Sequence, residues 1–250
     1  MSVLPSTATV GAPVDLLSRV ATEGYGVVND ILAPDACDRL SHAVAKSGTV
    51  RPGNRNQLTE PWCADLSRTL RQHAALTGLI PGSHLAVQCT FFEKSSAQSW
   101  LVPVHQDLSI PVAEHVDHMV LSGWSVKDGT PFVQAPVEVL EQLVAVRLHL
   151  DACAEEDGAL RVVPGSHRQG VISPQDAAEV RKTDGEQMCV VRKGGVLVMK
   201  PLLLHASSKA SGASRRRVLH FLYGPAELPF GLKWSFCAQG QGAFETRRNP

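Results

Sequence analysis

The chain has 250 residues, 44% of them hydrophobic, and 24 basic residues balance 24 acidic ones for a formal net charge of zero. That length supports one sizeable core, and a neutral chain exerts no long-range field towards nucleic acid or an anionic membrane, so the expected partner is a small molecule. Six cysteines without a C-x-x-C pair exclude a thiolate zinc or thioredoxin motif and fit reduced core positions in a cytoplasmic protein; neither a leader nor an apolar run of about eighteen residues is present, so secretion and membrane spanning are not expected.

Residues 1–13, rich in Pro, Ser, Thr, Gly and Ala without periodicity, read as a flexible arm ahead of a single domain over 14–250. Leu16, Leu17 and Val20 predict a short helix ended by Gly24, with a strand at 25–28. Pro34, Leu40 and Val44 predict a second helix closed by Gly48, and Trp62, Leu66, Leu70 and Ala74 a third. From residue 85 the pattern turns to β-formers: strands are expected at 85–92 and 101–106. The stretch 109–140, with Pro111, Pro131, Pro136, Gly123 and Gly129, reads as a long active-site loop. Strands follow at 143–150 and 159–163 around an acidic turn, then a short helix at 174–182 opened by Ser173-Pro174. Further strands are expected at 187–191, 196–199, 202–206, 217–223 and 232–236. Helices early and many short strands late predict a mainly β chain, a jelly roll (double-stranded β-helix, cupin-like) with N-terminal flanking helices.

Within this frame, His105-Gln-Asp107 places an imidazole and a carboxylate two positions apart in an apolar run. In a strand these point to one face, and a cation between them offsets the desolvation of the charge. Two imidazoles and one carboxylate with open positions form the facial set of non-haem Fe(II) oxygenases. Three His-x-Asp triplets occur. His115-Val-Asp117 lies in the polar, proline-flanked stretch and reads as solvated, but His149-Leu-Asp151 ends an apolar strand, and spacing alone does not separate it from 105/107. The second histidine is His205, at the end of the apolar stretch 194–205. Arg216, eleven positions on, is expected to turn inward on the next strand towards a ligand carboxylate, while Arg215 and Arg217 alternate outward into solvent.

Taken together, His105-Gln-Asp107, the segment Leu150-Asp-Ala-Cys-Ala-Glu-Glu-Asp-Gly-Ala-Leu-Arg-Val-Val-Pro-Gly-Ser-His167, His205-x-Ser207 with Arg216 and Tyr223, and the opening Glu23-Gly-Tyr-Gly-Val-Val28 resemble the phytanoyl-CoA dioxygenase family of Fe(II)/2-oxoglutarate oxygenases. The resemblance selects 105/107 over 149/151. It implies Fe(II) held by His105, Asp107 and His205, and 2-oxoglutarate held by Arg216 with Ser207 and Lys94 beside it. It also implies use of O2, with hydroxylation of a small metabolite and release of succinate and CO2. Gln106 is expected at the pocket mouth and Trp124 along the substrate pocket, against the plainer reading of Trp124 as an anchor of its loop. Related halogenases lack the carboxylate equivalent to Asp107, so halogenation is not expected; desaturation, cyclisation and epimerisation stay open. The rival reading is a cupin-like isomerase or lyase using its metal as a Lewis acid, with no need for Arg216. The stretch 109–140 departs from the family pattern, so neither a fatty acyl-CoA substrate nor any other is implied, and oligomeric state is not readable.

Overall fold

In a computed structural model that describes residues 13–46, 53–95, 99–211 and 215–238, helices lead and strands follow in the expected order. The expected arm, apart from Pro13, and the Gly48 stop lie outside the described residues. Helix α1 (Pro13–Glu23) is ended by Gly24 at φ +85°, a left-handed conformation that glycine adopts without a Cβ penalty. Strand β1 (Tyr25–Val28) leads to α2 (Pro34–Lys46), which starts on proline, and to α3 (Pro61–Gln72), which does the same. Then come β2 (Leu85–Lys94), β3 (Val102–His105), β4 (Ser109–Pro111), β5 (Ser122–Lys127), β6 (Thr130–Gln134) and the single turn α4 (Val137–Leu140). The chain continues through β7 (Val144–His149), β8 (Leu160–Val162), α5 (Pro174–Asp184), β9 (Gln187–Cys189), β10 (Val196–Met199), β11 (His205–Ser207) and β12 (Arg216–Gly224).

Three antiparallel sheets result. The largest has the order β1-β10-β7-β12-β2, a second β3-β11-β8-β9, and a third β4-β6-β5. Side-chain alternation divides the large sheet into two working faces. Val144, Val146 and Leu148 of β7 with Leu219, Phe221 and Tyr223 of β12 pack against Val44, Leu66 and Leu70 of the helices. From the opposite face, Ala145, Leu197 and Leu222 meet Leu160 and Val162 of the second sheet. Each such side chain removed from water contributes about 1.5–3 kcal/mol, so the helices are held by the same strands that carry the interior.

Two expectations are corrected. The stretch 109–140 is not an irregular loop: it folds into the third sheet, β4 pairing β6 and β6 pairing β5. Pro111 ends β4, Pro131 is the second residue of β6 and Pro136 precedes α4, so the prolines sit at or next to element ends, which hides the strands from a propensity reading. Residues 232–236 form no strand; Trp234 makes an isolated bridge to Val112 and donates its indole N–H to Pro225 O. Among the described residues no helix is long and apolar enough to cross a membrane.

Candidate metal centre

Antiparallel pairing of β3 with β11 sets His105 directly opposite His205, with ring centroids 4.2 Å apart. Asp107, two residues past His105, is fixed by its backbone N–H donating to Pro201 O at 2.9 Å. Its carboxylate lies 3.8 Å from Nε2 of His105 and 3.7 Å from Nε2 of His205. One ligand atom from each of the three falls within 4.8 Å of the others, so a single ion seated between them reaches all three.

The protonation pattern fits a metal. Nδ1 of His105 lies 2.8 Å from Pro103 O and Nδ1 of His205 2.9 Å from Leu203 O. A carbonyl oxygen only accepts, so both rings carry their proton on Nδ1 and present the Nε2 lone pair to the centre. Burial pushes the His205 imidazole down to about 4, with the nearby Asp107 charge opposing that shift. For Asp107, burial raises the carboxyl, but the facing His205, His220 and His105 and the Arg147 charge outweigh it and hold it at about 2. A neutral His205 imidazole and an ionised Asp107 carboxylate are therefore ready at neutral pH.

The three ligands open onto a cavity of about 350 Å³ between the sheets. Its far wall is the inner face of β12 and β2, where Arg216 pairs across the strands with Lys94, and His220 with Thr90. Arg216 is 4% exposed; its Nη1 donates to Gly158 O, and its Nε has no hydrogen-bond partner among the described residues. Gly158 ends the acidic turn at φ +70°, and a Cβ there would meet Ser208 O at 2.6 Å, so only glycine brings that carbonyl to the guanidinium. Lys94 is 1% exposed and donates from Nζ to Ser207 Oγ at 2.7 Å and to Ser208 O at 3.0 Å. Burial, then Arg216 and Arg147, push its ammonium down to about 8, so it remains charged at neutral pH.

Gln106 borders the cavity, but its amide donates to Gly170 O at 2.8 Å and Leu202 O at 2.6 Å and accepts from Ile172 N at 2.8 Å. Lying between the ligands His105 and Asp107, it ties that segment to the backbone at 170–172 and 202, so it offers a substrate little. Gln106→Ala leaves those buried groups unmatched, and a loss of about 1–3 kcal/mol in chemical denaturation is expected. Trp124 does not line the cavity: it stacks on His115 with centroids 4.1 Å apart and packs on the apolar cluster beneath the third sheet, as an anchor. What that sheet does give the cavity is Ser109, Ile110, Lys127 and Phe132. His149 points inward but is paired across the strands with Val218, and Asp151 faces the other way to bind Arg217, at 2.8 and 2.6 Å. Arg217 is thus not the solvated charge expected from alternation, whereas the more exposed Arg215 pairs with Glu93.

Two interior groups escaped the sequence reading. Arg147 of β7 and His220 of β12 are cross-strand partners facing the cavity, and Nη1 of Arg147 meets Nδ1 of His220 at 2.7 Å. A basic residue in the middle of the apolar run 143–150 was the available signal.

No curated protein matches the sequence. Among solved structures, AviO1 from Streptomyces viridochromogenes Tue57 is 21% identical, with 89% of this chain and 99% of that one covered and a TM-score of 0.60. HygX from Streptomyces hygroscopicus, crystallised with nickel and 2-oxoglutarate, is 18% identical over 84% of this chain and 86% of that one, with a TM-score of 0.60. SnoN, described as a non-haem alpha ketoglutarate dependent epimerase from nogalamycin biosynthesis, is 15% identical over 92% and 91%, with a TM-score of 0.62. At these identities the likeness establishes the jelly-roll fold. The phytanoyl-CoA dioxygenase (PhyH) family model matches residues 20–218, and the chain belongs to that family, whose members use Fe(II), 2-oxoglutarate and O2.

Proposed function

We propose that the protein is an Fe(II)/2-oxoglutarate-dependent dioxygenase that hydroxylates a small-molecule metabolite. The observation that carries this reading is the pairing, in one cavity, of the His105/Asp107/His205 cluster with a buried Arg216 that forms no ion pair with a carboxylate among the described residues. His105 and His205 would hold the metal through Nε2 and Asp107 through its carboxylate. Arg216 would take the distal carboxylate of 2-oxoglutarate by charge-assisted hydrogen bonds, with Lys94 and Ser207 fixing the cation field beside it. Bound Fe(II) with 2-oxoglutarate and O2 supplies the oxidation of a substrate C–H bond coupled to decarboxylation of the cosubstrate to succinate and CO2. The chain orients the groups, and the apolar walls Leu143, Leu160 and Leu222 keep bulk water from the centre. Hydroxylation is the default outcome of such a centre; desaturation, cyclisation or epimerisation would depend on where the substrate radical sits. Cys37, Cys63, Cys89, Cys153 and Cys189 are buried and form no disulfide among the described residues, which supports a reducing, cytoplasmic setting.

The test is anaerobic titration with Fe(II) and 2-oxoglutarate, following the visible metal-to-ligand charge-transfer band. The band is expected in the wild type, and Arg216→Ala is expected to weaken 2-oxoglutarate by about 30-fold, the loss of roughly 2 kcal/mol from a hydrogen bond to a charged group. Folded protein without the band returns the site to Lewis-acid chemistry, and unchanged affinity in the variant removes Arg216 from the cosubstrate.

A further inference from the structure

The cavity holds more positive charge than iron and a diacid can absorb. Lys94, Arg147 and Arg216 are all buried on its wall, and Asp107 is the only carboxylate among the residues that line it. A divalent metal and the dianionic cosubstrate cancel one another, so two of these positive charges have no counter-ion once both are bound. Arg216 and Lys94 sit together at one end of the β12–β2 pair. Arg147 does not: its cross-strand partner His220 lies four residues beyond Arg216, roughly 14 Å farther along β12 at about 3.4 Å per residue.

The surroundings of Arg147 are those of a binding group without its ligand. The residue is 7% exposed. Nη1 meets Nδ1 of His220, Nε has no hydrogen-bond partner, and neither Nε nor Nη2 takes part in any hydrogen bond or ion pair among the described residues. The guanidinium rests over the Phe92 ring at 5.4 Å, which fixes its plane. Because a guanidinium only donates, Nδ1 of His220 accepts, and that ring keeps its proton on Nε2 as a further donor. Asp107 does not satisfy the arginine, since its nearest contacts are the two histidines of the metal cluster. A diacid bound through Arg216 and the metal has no carboxylate left over.

We infer that Arg147, oriented by His220 and Phe92, is the anchor for a carboxylate on the primary substrate, which is therefore an organic acid and not a neutral molecule. The inference rests on the oxygenase reading and narrows it to a substrate class. A planar carboxylate matches the two unengaged N–H edges of one guanidinium, whereas a phosphate dianion calls for more donors than this wall supplies.

The test uses protein loaded with Ni(II) and 2-oxoglutarate, so that binding is read without turnover. A panel of carboxylic acids is titrated by calorimetry beside the carboxamide of each, including benzoate and benzamide, N-acetylglycine and N-acetylglycinamide, and cyclohexanecarboxylate and its amide, with phenyl phosphate as the phosphate arm. At least one acid is expected to bind tenfold or more tightly than its amide. In Arg147→Met that preference is expected to shrink below twofold, and Arg147→Lys, which keeps the charge but not the fork, to retain an intermediate preference and serve if the first variant does not fold. Wild type with 2-oxoglutarate bound but no acid preferred over its amide, a preference that survives in the folded variants, or phenyl phosphate binding more tightly than every acid would each overturn the inference alone. A fall in 2-oxoglutarate affinity in Arg147→Met as large as that in Arg216→Met assigns Arg147 to the cosubstrate and overturns it as well. Failure of the wild type to bind 2-oxoglutarate at all overturns the oxygenase reading itself.

Discussion

Replacing Asp107 by alanine is expected to abolish metal-dependent succinate formation while leaving the protein folded. The carboxylate is the only anionic member of the cluster, and its side chain is 38% exposed to the cavity, so its removal opens no packed core. Outer-shell partners of a metal site are worth roughly 10- to 100-fold in affinity or activity; a direct ligand that also supplies the charge should exceed that range. Asp107→Asn keeps the shape and loses the charge, so it should fall almost as far. Metal content after dialysis, succinate yield and circular dichroism at neutral pH check the expectation together. A variant that retains activity within threefold would sink the assignment of Asp107 as a ligand.

The second large effect is a loss of stability in mild acid for the metal-free protein. His149 and His220 are buried in the interior, each held far below the ordinary histidine range, His220 at about 3; burial is the main cause, followed by the Arg147 charge, with Arg216 adding to it at His149. Both face the same cations from β7 and β12, and Asp107 is the carboxylate that opposes the shift at His220. A group with a depressed folded value binds fewer protons folded than unfolded in the window between the two values. Stability is then complete above about pH 6.5 and falls as the pH drops below it. At pH 5 a histidine still neutral when folded, as His220 is, contributes a deficit of about 2 kcal/mol against a typical total of about 5–15 kcal/mol, and His149 acts in the same direction. Thermal melting at pH 7.5 and 5.0 reads this directly. His149→Leu, which cannot titrate, should recover part of the difference, the rest belonging to His220 and His205. An unchanged melting point across that interval would show that these histidines do not control acid stability.

The order of helices and strands was legible because each element carries its own period: Leu66 and Leu70 repeat at helical spacing, and the runs around 85–92 and 143–150 are β-rich. The facial cluster was legible for a related reason. His105 and Asp107 share a strand face by spacing, and His205 stands out at the end of an apolar run, although the choice between 105/107 and 149/151 needed the family resemblance. What sequence does not carry is pairing. That His220 stands opposite Arg147, or Lys94 opposite Arg216, depends on strand order in the sheet, which brings together residues 73 and 122 positions apart. Gln106 borders the cavity as expected, but that its amide is already taken by backbone carbonyls, and that Trp124 is an anchor stacked on a histidine instead of a pocket wall, is not legible, because polarity and position in a variable stretch say nothing of which partner already occupies a group.

The three consecutive arginines at 215–217 create an ambiguity that the fold has to resolve. Sliding β12 by one residue would still deliver an arginine to the interior, but it would export His220 and import Phe221, erasing the inner wall while preserving its charge. Asp151, at the end of β7, grips the guanidinium of Arg217 with both oxygens and also accepts its backbone N–H at 3.0 Å. That grip works as an index pin: it distinguishes one cation from its identical neighbours, so the alignment of the whole interior is decided by a carboxylate on the outside of the sheet.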